Sequence, residues 1–141
     1  MTENAQPRKS RLVLADDHLD VLDEIRHLLA SDFDVLRTVA EGHALIQAVA
    51  ELSPDAVVSD IQMPGLDGIE AGGRILRQGL CTAVVVLTVY NEPHLVRKAL
   101  QAGIRGYVLK VDAGEELIPA VNAVLAGGSY LSRSVSEKLK K

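Results

Sequence analysis

Five polar side chains stand where short apolar runs end: Asp16 and Asp17 after 12–15, Asp60 after 56–59, Thr88 at the close of 83–88, and Lys110 after 107–109. Taken one at a time they have plain explanations. An Asp after a strand caps a helix or turns the chain, a Thr suits a strand, and a Lys is usually solvated. Taken together they converge, provided the runs are neighbouring strands of one sheet. Three carboxylates in one small site repel one another and destabilise the fold, so a cation must join them. Clustered carboxylate oxygens with room for water and a phosphate suit Mg²⁺, which prefers octahedral oxygen and keeps several waters. Formal charge then balances, the three aspartates against the dication and Lys110. If Asp60 attacks a phosphoryl donor, its charge is consumed in an acyl phosphate while about two negative charges arrive on the new group. The ion and Lys110 offset most of that. Phosphoryl transfer asks mainly for in-line placement and for cations on the equatorial oxygens, and this set offers both.

The elements that must position these residues follow from hydrophobic patterning. Apolar runs recur at 12–15, 35–40, 56–59, 83–88 and 107–109. Four of them lack an alternating polar face, the mark of strands buried on both sides of a parallel sheet, whereas 35–40 is broken by Arg37 and Thr38 and reads as an edge. Between them lie helical stripes: Val21, Leu22, Ile25, Leu28 and Leu29; Leu45, Ala48, Val49 and Leu52; Leu95, Val96, Ala99 and Leu100; Leu117, Ile118, Val121, Val124 and Leu125. Gly103, Gly106 and Gly114 read as helix ends or turns, and Pro119 as a first-turn residue of the last helix. Gly72 and Gly73 weaken the third helix, and the sequence gives no physical reason for them. The alternation predicts an α/β fold: a doubly wound, flavodoxin-like, five-stranded parallel sheet of order 2-1-3-4-5, with helices on both faces. In such sheets chemistry collects outside the carboxyl ends of the strands, at the switch point between strands one and three.

At 141 residues the chain accommodates one domain plus tails. Apolar residues make up 48% but aromatics only 3%, so the core must be built from Ala, Val, Ile and Leu. A net charge of −4 without a long Lys/Arg run argues against nucleic acid being held by this segment itself. No apolar run reaches the roughly 20 residues of a membrane span, and residues 1–9 read as a disordered lead-in without a secretory signal. The lone Cys81 reads as a buried structural thiol and fits a reducing compartment. His18, His27, His43 and His94 have no ligand spacing, although His18 follows the acidic pair and is placed to shape access to the site.

The segments LVLADDH, DIQMPGLDG, VVVLT and GYVLK together resemble the receiver domain of two-component response regulators, over about residues 10–127. The resemblance implies a switch rather than an enzyme, phosphorylated on Asp60 by a sensor histidine kinase. It further implies that Asp16, Asp17 and Asp60 bind Mg²⁺ with the Gln62 backbone carbonyl, that Thr88 is the switch hydroxyl, and that Lys110 contacts a phosphoryl oxygen. Tyr107 matches the aromatic that moves inward once Thr88 has shifted; without the resemblance it reads as a half-buried strand residue. Two departures stand out. Val111 follows Lys110 where many receivers carry a cis proline, so a trans bond is expected. Gln62 and Tyr90 occupy the variable positions that tune hydrolysis in this family, and a bulky Tyr90 should hinder water.

The final stretch, GGSYLSRSVSEKLKK, spaces Leu131, Val135 and Leu139 by four residues beside basic neighbours. It resembles the linker helix of the NarL/FixJ subgroup, which implies that residues 128–141 lead toward a C-terminal helix-turn-helix controlling transcription; a free-standing receiver acting in a phosphorelay or as a protein-protein scaffold is the alternative. A cytoplasmic setting and phosphorylation-dependent homodimerisation are expectations of the family alone. An aspartate-nucleophile phosphatase would want a second acid two residues after its first, and the chain reads Asp16-Asp17-His18 instead. A flavodoxin-like cofactor binder would need a phosphate-cradling loop there, which the acidic ADDHLD segment opposes.

Overall fold

A computed structural model describes residues 8–140, so most of the expected lead-in at 1–9 lies outside the described residues. The strands are β1 (Ser10–Ala15), β2 (Phe33–Val39), β3 (Ala56–Ser59), β4 (Val84–Thr88), β5 (Gly106–Leu109) and β6 (Tyr130–Leu131). The helices are α1 (Leu19–Leu29), α2 (Gly42–Leu52), α3 (Gly68–Arg77), α4 (Pro93–Gln101), α5 (Ala113–Leu125) and α6 (Arg133–Leu139), with a 3₁₀ turn over Lys110–Asp112. The sheet order is β2-β1-β3-β4-β5-β6 and every pairing is parallel. β2 is the edge strand that its polar interruptions predicted.

Alternation along each strand sorts the apolar residues into two compartments. Val13 and Val57 face α2, α3, α4 and α6, where Leu45, Val49, Ile75, Val96 and Val135 meet them. Leu12, Leu14 and Val58 face α1 and α5, against Leu22, Leu29, Leu117 and Val121. Covering both faces lets β3 and β4 be buried along their whole length, as their continuous apolar runs require.

The expected count of five strands is corrected to six. β6 pairs Gly106 with Tyr130 and Tyr107 with Leu131, joined by Tyr130 N–H to the Arg105 carbonyl at 2.9 Å and Ser132 N–H to the Tyr107 carbonyl at 3.0 Å. Two residues are too short to display a strand period, and the four-residue spacing of Leu131, Val135 and Leu139 reads as a helical stripe. Only the latter two belong to α6, while Tyr130 and Leu131 join the sheet as β6.

Pro119 is also corrected. α5 begins at Ala113, with Gly114 inside its first turn rather than before it, so Pro119 lies mid-helix. It occupies the exposed side, where the carbonyl one turn earlier can turn to water. Pro119→Ala should therefore stabilise the fold by about 1–3 kcal/mol, measured as a higher urea midpoint; an unchanged midpoint would show that the helix has already adapted. Gly106 opens β5 rather than ending a helix.

The glycine pair in α3 has a packing explanation at Gly72, where a Cβ would lie 3.0 Å from Ile104 Cδ1 and 3.1 Å from Val84 Cγ1. The helix lies close against Val84 of β4 and against Ile104 there, and a methyl group would require those side chains to give by a few tenths of an ångström. No described helix is long and apolar enough to cross a membrane.

Candidate functional site

Register brings the carboxyl ends of the central strands together. Ala15 pairs with Ser59, so Asp16 and Asp60 leave adjacent strands side by side, and Asp60 N–H donates to the Ala15 carbonyl at 2.9 Å. Thr88 pairs with Leu109, which sets Lys110 just beyond the same edge. Neither acid is a helix cap. The N-cap of α1 is His18, while that of α3 is Asp67, whose side chain accepts from Glu70 N–H. Asp16 Oδ1 accepts from His18 N–H at 2.9 Å in a turn contact, which leaves its Oδ2 for another partner.

Asp16 and Asp60 are 4% and 5% exposed. A buried carboxylate needs a charged or hydrogen-bonded partner, and Lys110 supplies one to both, its Nζ lying 2.7 Å from Asp16 Oδ2 and 3.1 Å from Asp60 Oδ2. Burial alone would lower the Lys110 pKa, but the hydrogen bonds and negative charges of Asp16 and Asp60 outweigh it and hold the ammonium above its ordinary value. The second oxygen of Asp60, Oδ1, accepts from Ile61 N–H at 2.7 Å.

The backbone behind Asp60 is fixed by close approach. Gly68 N–H donates to the Ile61 carbonyl at 2.7 Å, and a Cβ on Gly68 would fall 1.8 Å from the Asp60 carbonyl oxygen. Only glycine lets the start of α3 pack there.

On the outer side of the cluster, His18 Nδ1 lies 3.1 Å from Asp16 Oδ1 and 3.0 Å from Asp17 Oδ1. One ligating atom each from Asp16, Asp17, His18 and Asp60 can be chosen so that all lie within 4.8 Å of one another. The acidic triad fits a hard divalent cation: its donors are carboxylate oxygens, they converge from two strand ends, and the nitrogen donor beside them is on a side chain 67% exposed.

Thr88 is fully buried, and its Oγ1 accepts from Tyr90 N–H at 3.4 Å. Tyr90 reaches from the β4–α4 loop to hydrogen-bond the Gln62 side-chain oxygen on the β3–α3 loop. Tyr107 is fully buried rather than half-buried, and its hydroxyl donates to the Tyr90 backbone carbonyl at 2.7 Å. Burial first, then the negative charges of Glu92 and Asp60, push its phenol well above the usual range. Tyr107 already occupies an inward position in this structure. The Lys110–Val111 bond is trans, in line with the missing proline.

The chain matches the response regulator receiver domain family over residues 12–122. It belongs to that family. The receiver is 35% identical to the response regulator GacA of Pseudomonas aeruginosa, over 92% of this chain and 61% of that protein. It is 30% identical to the transcriptional regulatory protein DegU of Brevibacillus brevis, over 100% of this chain and 61% of that one. The chain therefore spans about three-fifths of the length of these curated relatives. A crystal structure of a LuxR-family two-component response regulator from Aurantimonas sp. SI85-9A1 superposes with a TM-score of 0.88 at 30% identity, covering 94% of this chain and 96% of that one.

Sequence reasoning expected Asp16, Asp17, Asp60, Thr88 and Lys110 at one edge, and the receiver places all five there. Gln62 and Tyr90 meet through their side chains, a contact that spacing could not reveal. His18, expected beside the site because it follows the acidic pair, stands against both Asp16 and Asp17. Cys81 is buried, and burial pushes its thiol upward despite hydrogen bonds to the Ala83 and Thr82 backbone that pull the other way.

Proposed function

We propose that this receiver accepts a phosphoryl group on Asp60 from the phosphohistidine of a sensor histidine kinase, in a Mg²⁺-dependent reaction, and that the phosphorylated surface controls an output. The observation that carries this reading is the buried Asp16–Lys110–Asp60 bridge at the switch point of the sheet. Transcription through a DNA-binding module outside these residues is the output best supported, because relatives carry the names transcriptional regulatory protein and LuxR family. On this reading 10–127 is the receiver proper and 128–141 leads toward that module, while homodimerisation follows phosphorylation and the setting is cytoplasmic.

Asp16, Asp17 and Asp60, with the Gln62 backbone carbonyl, would hold the Mg²⁺. When bound, the ion supplies positive charge to the phosphoryl oxygens. Asp60 contributes the attacking carboxylate oxygen; a new P–O bond forms as the P–N bond of the donor breaks and its imidazole leaves. Lys110, already directed at Asp60 Oδ2, meets a phosphoryl oxygen as the acyl phosphate forms. Thr88 then turns its hydroxyl from the Tyr90 backbone toward the new group, and Tyr107, bonded to the Tyr90 carbonyl, follows that loop.

Hydrolysis, the reverse step of the switch, needs water at the acyl phosphate. The Tyr90–Gln62 contact spans the two loops flanking Asp60 and narrows that approach. Tyr90→Ala should shorten the lifetime of the phosphorylated state by roughly 3- to 10-fold, followed as loss of adduct after donor removal; equal decay would free Tyr90 of this role.

The reading as a whole is tested by incubating the chain with Mg²⁺ and a small acyl phosphate and following intact mass. One labile adduct is expected, and its formation should stop when the divalent cation is chelated. No adduct, or one formed equally well in chelator, would overturn it.

A further inference from the structure

The turn that carries Lys110 is held at both ends by a segment far along the chain. Leu109, at the end of β5, donates its N–H to Ser132 Oγ at 3.1 Å. Asp112, at the end of the turn, accepts from Ser134 N–H at 3.2 Å and Ser134 Oγ at 3.1 Å. Ser132 joins β6 to α6 and Ser134 stands in the first turn of α6, so one junction grips the turn on both sides of Lys110. Glu116 in α5 secures that junction, accepting from Arg133 N–H at 3.0 Å and from the Tyr130 hydroxyl at 2.9 Å.

Ser132 is the unusual member. It is fully buried, and its N–H already donates to the Tyr107 carbonyl at 3.0 Å. β6 stops too early to offer Leu109 a backbone acceptor, and a buried N–H without a partner is costly. The Ser132 hydroxyl takes that place. Burial would raise the Asp112 carboxyl, but hydrogen bonds from the Ser132 hydroxyl and from the Ser134 N–H and hydroxyl, with the charge of Arg133, hold it below the usual carboxylate range. Outside this grip the turn is thinly supported, since Val111 at its centre is 82% exposed.

We propose that Ser132 is a positioning residue for Lys110: its buried hydroxyl, delivered by the β6–α6 junction, fixes the Leu109–Asp112 turn so that the Lys110 ammonium points between Asp16 and Asp60. The proposal rests on the phosphoacceptor reading of the site and extends it to residues 130–134, which lie beyond the last helix of the receiver family match. Lys110 sits within one hydrogen bond of its two carboxylates, so a shift of about 1 Å in the turn is enough to weaken its contact with the reacting oxygens.

The test compares wild type with Ser132→Ala and Asp112→Asn in the full chain. Adduct formation is followed by intact mass across a series of acetyl phosphate concentrations, with Mg²⁺ affinity measured by calorimetry. Ser132→Ala should lower the maximal rate about tenfold, with the half-saturating donor concentration and Mg²⁺ affinity within about twofold of wild type. Asp112→Asn should act in the same direction and carries the test alone if Ser132→Ala does not fold. An unchanged maximal rate overturns the proposal. So does a rate that falls together with Mg²⁺ affinity, which would mean a loosened domain rather than a displaced lysine. The ¹⁵N-edited signal of the Lys110 side chain, which should move toward that of a free lysine in Ser132→Ala, reads the displacement without any phosphorylation. A wild type that takes no label overturns the acceptor reading, and the role of Ser132 in the reaction falls with it, while the Lys110 signal still shows whether the clamp exists.

Discussion

Asp60→Asn should remain at its unlabelled mass under conditions in which wild type gains one phosphoryl group from acetyl phosphate and Mg²⁺. The substitution preserves shape: an amide oxygen can still accept from Ile61 N–H, and the Ala15 and Gly68 backbone contacts do not involve the side chain. What disappears is the anionic nucleophile. Stability should not suffer in proportion, because removing one of three crowded carboxylates relieves repulsion, and Lys110 keeps its 2.7 Å bond to Asp16. The variant is therefore expected to fold, to melt close to wild type and to be chemically silent. An adduct of equal yield and lability on Asp60→Asn would place the acceptor elsewhere.

Lys110→Met should show two separable losses. Met retains most of the stem volume but no charge, so the phosphoryl oxygens lose a cation, and the rate of adduct formation should drop by about 10²- to 10³-fold. The second loss is of fold stability. Removing the partner of two buried carboxylates leaves uncompensated charge, a change that costs about 3–5 kcal/mol in comparable buried pairs. Added Mg²⁺ should restore much of the stability but little of the rate, since the ion can neutralise the carboxylates without replacing the ammonium. Chemical denaturation with and without the cation measures the first, intact mass the second. If stability in chelator equals that of wild type, the Asp16–Lys110–Asp60 bridge is not what holds these acids in the interior. A pH titration of wild type would miss the effect. The folded-state pKa of Lys110 is raised, so its contribution is complete below the ordinary lysine value and is lost only as pH climbs through the raised one.

Much of this was legible because the chemistry sits at strand ends. An unbroken apolar run such as 84–87 identifies a central strand, and the first polar residue after it then lies at the carboxyl edge. The interrupted run containing Arg37 and Thr38 identified the edge strand for the same reason. β6 was hidden because a two-residue strand has no measurable period and Leu131 also fits a four-residue helical spacing. Pro119 was misplaced because Gly114 read as a break, whereas the helix starts one residue before it. The spacing of Tyr107 put it on a strand but could not show how completely it is covered, which depends on Leu131 and Val135 folding back over its compartment. The position of His18 beside the acids follows from its adjacency to Asp17, but the contact of its ring nitrogen with both carboxylates depends on the turn geometry that no spacing displays. The reason for Gly68 is a clash with a carbonyl oxygen eight positions away, which no sequence pattern displays.

The alternation along β5 sends Tyr107 and Leu109 into the compartment beneath α4 and α6, and Val108 into the one beneath α1 and α5. The sheet is thus a partition as well as a scaffold. On the proposed switch, a movement of Tyr107 in response to Thr88 acts first on the packing of Leu109, Leu131 and Val135, and the residues around Val108 lie across the sheet from it.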